Sequence, residues 1–146
     1  MKFEEKDVKL RGIFELRIIK NGTVIEQYKD ENMIMNKVAD ALAKFIGGDG
    51  AGKTITKIGF GTNGSGPTPD DTSLTNAYVK SISSRSYPQV GQVRFNFNLA
   101  ITEANGKTIR EFGLICSDDT LFARKTRGAI EKSSDIALEG SWTIIF

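Results

Sequence analysis

From Gln92 to Ile101 every second side chain is apolar: Val93, Phe95, Phe97, Leu99 and Ile101 alternate with Gln92, Arg94, Asn96, Asn98 and Ala100. A period of two places the first set on one face of a strand and the second on the other, so this segment predicts a sheet with one face in a core and one polar. The chain closes with the same period. Ile136, Leu138, Trp142, Ile144 and Phe146 share one side, and Gly140 interrupts that side, which marks either a bulge or a close approach. Near the start, the β-prone runs 13–20 and 23–28 flank Asn21-Gly22, the dipeptide that suits a two-residue hairpin turn because both positions need positive φ. Phe14, Leu16 and Ile18 share one face of the first run.

Further strands are expected over 54–60, 108–116 and 121–125, with a weaker one over 76–84 built on Tyr78, Val79 and Ile82. Asn105-Gly106 predicts the turn before the 108–116 strand. Between the hairpin and the 54–60 strand, Ile34, Val38, Leu42 and Phe45 recur at helical spacing among Ala39, Ala41 and Ala43. These residues predict one helix over about 33–46, with Asn32 as its N-cap and Gly47 and Gly48 at its C-terminal end. About eight strands and a single helix predict a mainly β fold, an antiparallel β-sandwich-like domain with the helix packed against it. That domain is expected over residues 10–146, preceded by a charged, flexible leader over residues 1–9.

Composition narrows the chemistry. The chain of 146 residues contains no histidine, which removes Ser/His and Cys/His dyads and His-containing zinc sites. Its sole cysteine, Cys116, follows Leu114 and Ile115 and is expected to be a buried, inert thiol. A net charge of +2 from scattered basic residues is not the footprint of a nucleic-acid binder. No stretch has the length and apolarity of a membrane span, and residues 1–9 carry no apolar signal core, so synthesis in the cytoplasm is expected. No catalytic residue, metal site or cofactor is assigned.

One motif argues for a cofactor on its letters alone. Residues 47–54, GGDGAGKT, satisfy the phosphate-loop pattern, with Gly47, Gly52, Lys53 and Thr54 at its defined positions. Phosphate binding needs a strand before the loop and a helix after it, so that free N–H groups and the positive helix N-terminus meet the anion. Here the helix comes first and a strand follows. A helix C-terminus presents carbonyl oxygens and repels phosphate, so these four residues are read as a chance match within a flexible helix-to-strand connector.

Other constellations have structural readings. Arg110 and Glu111 point to opposite faces of a strand, so one of them faces inward or an interface, and Arg124 or Arg127 is available to Glu111; a rim salt bridge is the expected form. Asp70, Asp71, Asp118 and Asp119 are paired acids in loops but lack the spacing of an EF-hand. Trp142 and the phenylalanines alternate in strands and are assigned to the core rather than to a stacking platform. The Gly- and Pro-rich segment 61–72, GTNGSGPTPDDT, is expected to be a solvated connector.

The order of segments resembles a family of small virion proteins of tailed bacteriophages and prophages, often labelled tail-fibre or tail-associated structural proteins. The hairpin GIFELRIIKNGTVIEQY is followed by ENMIMNKVADALAKFI and by KIGFGTNGSGPTPDDTSLTN, which is similar to the family's "GTG…PTPxDTxL" segment. IREFGLI is similar to its "I-x-E-x-G-L" strand, LFAR to its Leu-Phe-Ala-Arg element, and IEKSSDIALEGSWTIIF to its closing "K-T-S-D…L-x-x-x-W-T-I-x-F" strand. The GGDGAGKT insert and the segment KTRGAIEK depart from the pattern. The resemblance covers 12–146 and implies a non-enzymatic virion component that self-associates, as a trimer or ring, and docks onto other virion proteins in the tail or tail-fibre apparatus. A capsid decoration or head-fibre role is the alternative within that class. A host-receptor module binding a surface glycan is the alternative outside it. The family brings no catalytic residues.

Overall fold

The structure, a computed structural model, describes residues 10–146, and the expected leader lies outside the described residues. Nine strands and one helix follow in chain order: β1 (Arg11–Lys20), β2 (Thr23–Ile34), α1 (Lys37–Ile46), β3 (Ile55–Gly61), β4 (Tyr78–Ser81), β5 (Ser84–Ser86), β6 (Gln92–Leu99), β7 (Thr108–Cys116), β8 (Leu121–Glu131) and β9 (Ile136–Ile145). All pairings are antiparallel, in the order β4-β3-β7-β8-β2-β1-β9-β6-β5, and the strands pack as two layers with the short helix beside them, a β-sandwich-like domain as expected.

Two devices join the layers. The long strand β2 pairs with β1 along most of its length, then reaches β8 through Met33 and Ile34, opposite Arg124 and Ala123. On the other side the chain steps from β4 to β5, where the Ile82 N–H donates to the Thr56 carbonyl (3.0 Å) and the Ser83 N–H to the Asn96 carbonyl (2.9 Å). The weak 76–84 strand is therefore two short strands, one per layer. Short edge strands that hand over to each other leave little open ladder for unwanted pairing.

The Asn21-Gly22 turn forms as expected, with both residues at positive φ and Lys20 opposite Thr23. Asn105-Gly106 behaves differently. Gly106 has positive φ, but β6 pairs with β5 and β9 while β7 pairs with β3 and β8, so this turn crosses between layers instead of closing a hairpin.

Phe14, Leu16 and Ile18 of β1, Phe95, Phe97 and Leu99 of β6, and Leu138, Trp142 and Ile144 of β9 face Ile58, Phe60, Ile109, Phe112 and Leu114 across the core. The Phe14 ring is central, 4.9 Å from Phe112, 5.0 Å from Trp142 and 5.8 Å from Phe97 between centroids. Gly140 is a close approach, not a bulge: the β1–β9 register is unbroken there. A Cβ at that position would lie 2.4 Å from the Glu15 carbonyl and 2.6 Å from the Phe97 ring.

The helix begins later than its periodicity suggests. Residues 33 and 34 extend β2, and the N-cap is Asn36 rather than Asn32. The cross-layer ladder to β8 outweighs the helix propensity of this stretch. Asn32 instead accepts a hydrogen bond from the buried Trp142 indole N–H at 2.6 Å, a bond that a buried indole requires. Asn36 donates its side-chain N–H to Asp70 at 2.9 Å and its backbone N–H to the Pro69 carbonyl at 2.9 Å.

Candidate functional site

Three of the four phosphate-loop positions, Gly52, Lys53 and Thr54, fasten one loop to another, and Gly47 closes the helix end. After α1, the Gly47 and Asp49 N–H groups donate back to the carbonyls of Ala43 and Lys44, closing the helix end, and Gly48 and Gly52 take positive φ. The Gly52 carbonyl then accepts from the Asp118 N–H and the Thr54 carbonyl from the Ser117 N–H, both at 2.9 Å. Lys53 Nζ lies 2.6 Å from Asp118 Oδ2 and 3.3 Å from Thr120 Oγ1. The Lys53 ammonium and the Thr120 groups hold the Asp118 carboxyl well below the usual carboxylate range, and Asp118 in turn raises Lys53. Thus the carbonyl end of α1 faces this loop and its lysine is already neutralised by an acid. The connector is tied to the β7–β8 turn.

A second cluster was only half visible in the sequence. Glu111 and Arg124 lie side by side on the outer face of β7 and β8, yet both are buried, because the chain from Asn63 to Thr75 lies across them. Arg124 donates Nε to Glu111 Oε1, Nη1 to Asp71 Oδ2 and Nη2 to the Asn63 carbonyl, each at 2.9 Å. Glu111 Oε2 accepts the Asn63 N–H at 2.8 Å and the Thr75 N–H at 3.0 Å. Leu74 settles over Gly59 and Gly113, where a Cβ would come within 2.5 and 2.8 Å of its methyl. One expectation is corrected here and one is extended. The pair is a buried network and not a rim salt bridge, and the Gly61–Thr72 segment, largely exposed as a surface connector should be, is pinned over that network through Asn63 and Asp71.

The paired acids are dispersed among these roles. Asp70 accepts from the Asn36 side-chain amide, Asp71 accepts from Thr68 and Arg124, Asp118 holds Lys53, and Asp119 lies 2.5 Å from Lys57 Nζ. Cys116 is buried as expected, and that burial pushes its thiol up to about 11.

Glu103 forms a third cluster, accepting from Lys80 Nζ (2.7 Å), the Ala100 N–H (2.9 Å) and the Tyr78 hydroxyl (2.9 Å). Lys80 above all, then the Ala100 amide, lowers its carboxyl from 4.5 to about 2. Because the folded value lies below the unfolded one, its stabilisation is complete above 4.5 and is lost as pH falls towards 2. Glu103→Gln is therefore expected to flatten the acid limb of the stability curve relative to the native chain. Urea midpoints measured across that range test this, and parallel limbs for the two proteins would contradict it.

An apolar groove of about 630 Å³ lies between the C-terminal turn of α1 and the ends of β5, β6 and β9. Leu42 and Phe45 line one side, Arg85, Tyr87 and Val93 another, and Ile55, Phe95, Phe122 and Ile144 lie between them with Phe146 at the end. Lys53 and Thr54 reach its margin. Around it stand Phe45 (55% exposed), Ile46 (87%), Tyr87 (72%) and Phe146 (51%), together with a fully exposed Val90. Phe45 and Phe146 continue the periods of α1 and β9, so periodicity placed them on the correct faces, but none of the described residues covers those faces at this end. Ile101, expected on the core face of its strand, lies past the end of β6 and is half exposed.

No family model, no curated protein and no solved structure matches the chain.

Proposed function

We propose that the protein is a non-enzymatic structural component of a bacteriophage virion, self-associating and docking onto other virion proteins in the tail or tail-fibre apparatus. The observation that carries this reading is the apolar groove ringed by large exposed apolar side chains on a sandwich whose long loop is pinned flat. Exposed contiguous apolar surface of this kind marks a protein interface. A rigid scaffold beneath it lowers the ordering cost of association. The virion context is supported by the ordered resemblance, from the Asn21-Gly22 hairpin through IREFGLI and LFAR to the closing SWTIIF strand. The charged clusters favour the same reading, since Lys53, Arg124 and Glu103 each hold loops together.

Quantitative mass spectrometry of gradient-purified phage particles, made by the strain that carries the gene, tests the proposal. The protein is expected in multiple copies per particle, retained with tails after heads are removed, and Lys53→Ala is expected to be incorporated equally. Recovery with heads would overturn the tail placement in favour of capsid decoration. Absence from particles while the protein is expressed would overturn the virion reading, and capture of the protein by a host-surface glycan would then favour the receptor module.

A further inference from the structure

We infer that the apolar groove is occupied by a second copy of this chain, related by a two-fold axis. This deepens the self-association reading above and rests on it. The argument comes from what lies beside the groove. Tyr87 lines it and is largely exposed, and the strongly exposed Ile46 and Val90 are the chain neighbours of the lining residues Phe45 and Gly91, so one patch carries both a hollow and exposed apolar side chains to fill one. An isologous interface needs that combination, since each copy must offer both halves of every contact. A small apolar ligand would fill the hollow and leave Ile46 and Val90 in water.

Charge supplies the second, independent observation. Asp40, Lys44 and Lys53 near the groove all have ionic partners, but the side chains of Asp49 and Arg85 make no hydrogen bond or ion pair among the described residues. The two stand on different sides. Asp49 follows α1, beside Gly50, which lies against the Phe45 ring, whereas Arg85 belongs to β5 on the facing wall. Opposite side-chain charges left unpaired, one in the connector behind Phe45 and one on the β5 wall, are what a two-fold contact exchanges: Arg85 of each copy meets Asp49 of the other, twice. Such pairs fix the register of an interface and disfavour wrong partners. The resulting unit is a pair, which can itself repeat around a virion axis.

Sedimentation velocity of the full chain across micromolar concentrations tests this, with circular dichroism confirming that each variant is folded. The native chain is expected to dimerise. Arg85→Asp and Asp49→Arg are each expected to weaken the dimer on the order of tenfold, by setting like charges against each other, and the combined variant to return close to the native constant. Val90→Asp is expected to weaken the dimer as well, with no rescue by either charge change. A native dimer or larger oligomer indifferent to all four variants would overturn this face while leaving self-association intact. A native chain that stays monomeric yet is found in purified particles would overturn the inference and leave the virion reading standing.

Discussion

Arg124→Ala is expected to lower the unfolding free energy by about 3–5 kcal/mol, the range for removing one partner of a buried ion pair. Three losses combine. Glu111 is left as a fully buried carboxylate with two amide donors but no counter-charge, the Asn63 carbonyl loses its donor, and Asp71 loses its link to the sheet. Lysine at the same position keeps the charge but cannot supply the three-pronged geometry, so Arg124→Lys should fall between alanine and the native chain. Urea unfolding measures the global loss. Amide hydrogen exchange provides the local readout, because the Asn63 and Thr75 N–H groups, both bonded to Glu111, should lose protection first. A loss below about 1 kcal/mol would place Arg124 among ordinary surface residues and contradict the pinned-cover description.

Phe14→Ala should be comparably severe, about 3–5 kcal/mol, since an aromatic side chain removed from a packed core forfeits its transfer energy and leaves a cavity. Phe14 joins both layers: its ring meets Phe97 and Trp142 from its own layer and Phe112 from the facing one. Its neighbours cannot readily collapse into the gap. Phe112 is held by Phe60, and Trp142 by its hydrogen bond to Asn32. The informative control is Phe45→Ala. That residue also recurs at core spacing in the sequence, yet it is 55% exposed, so the folded monomer should lose about 1 kcal/mol or less. Thermal melts of the two variants discriminate directly, and equal losses would mean that the groove end is packed as tightly as the centre.

The contrast between Phe14 and Phe45 shows what a chain's pattern discloses. The alternation in β6 and β9, the Asn21-Gly22 turn and the glycine end of α1 are local consequences of backbone geometry, so they were legible from neighbouring residues alone. The start of α1 was not, because Met33 and Ile34 are recruited by Ala123 and Arg124, roughly ninety positions away. β8 extends to Glu131, beyond its expected end, through KTRGAIE, a run with no apolar period whose register is set by its partner β7.

The functional surfaces follow the same division. The phosphate-loop letters have the element order that argues against a phosphate site, helix before and strand after, while the Lys53–Asp118 pair joins residues 65 positions apart that no local pattern links. The alternation of Arg110 and Glu111 does not say which of the two is covered, because the burial of Glu111 depends on a Gly- and Pro-rich loop folding back over the outer face of the sheet. Gly59 and Gly113 carry a faint signal of this, since two glycines on facing positions of paired strands leave a depression for Leu74. The groove had no signal at all. Periodicity identifies which face a residue shares, not whether anything lies over that face.

Electron cryomicroscopy of particles purified from the strain that carries the gene is the most direct measurement of whether this is a virion component that assembles through its groove. The expected result is density for paired sandwiches on the tail, with α1 and the β5–β6 loop of one copy packed against those of the next. Tails complete without the protein, or sandwiches whose grooves face open solvent, would contradict it.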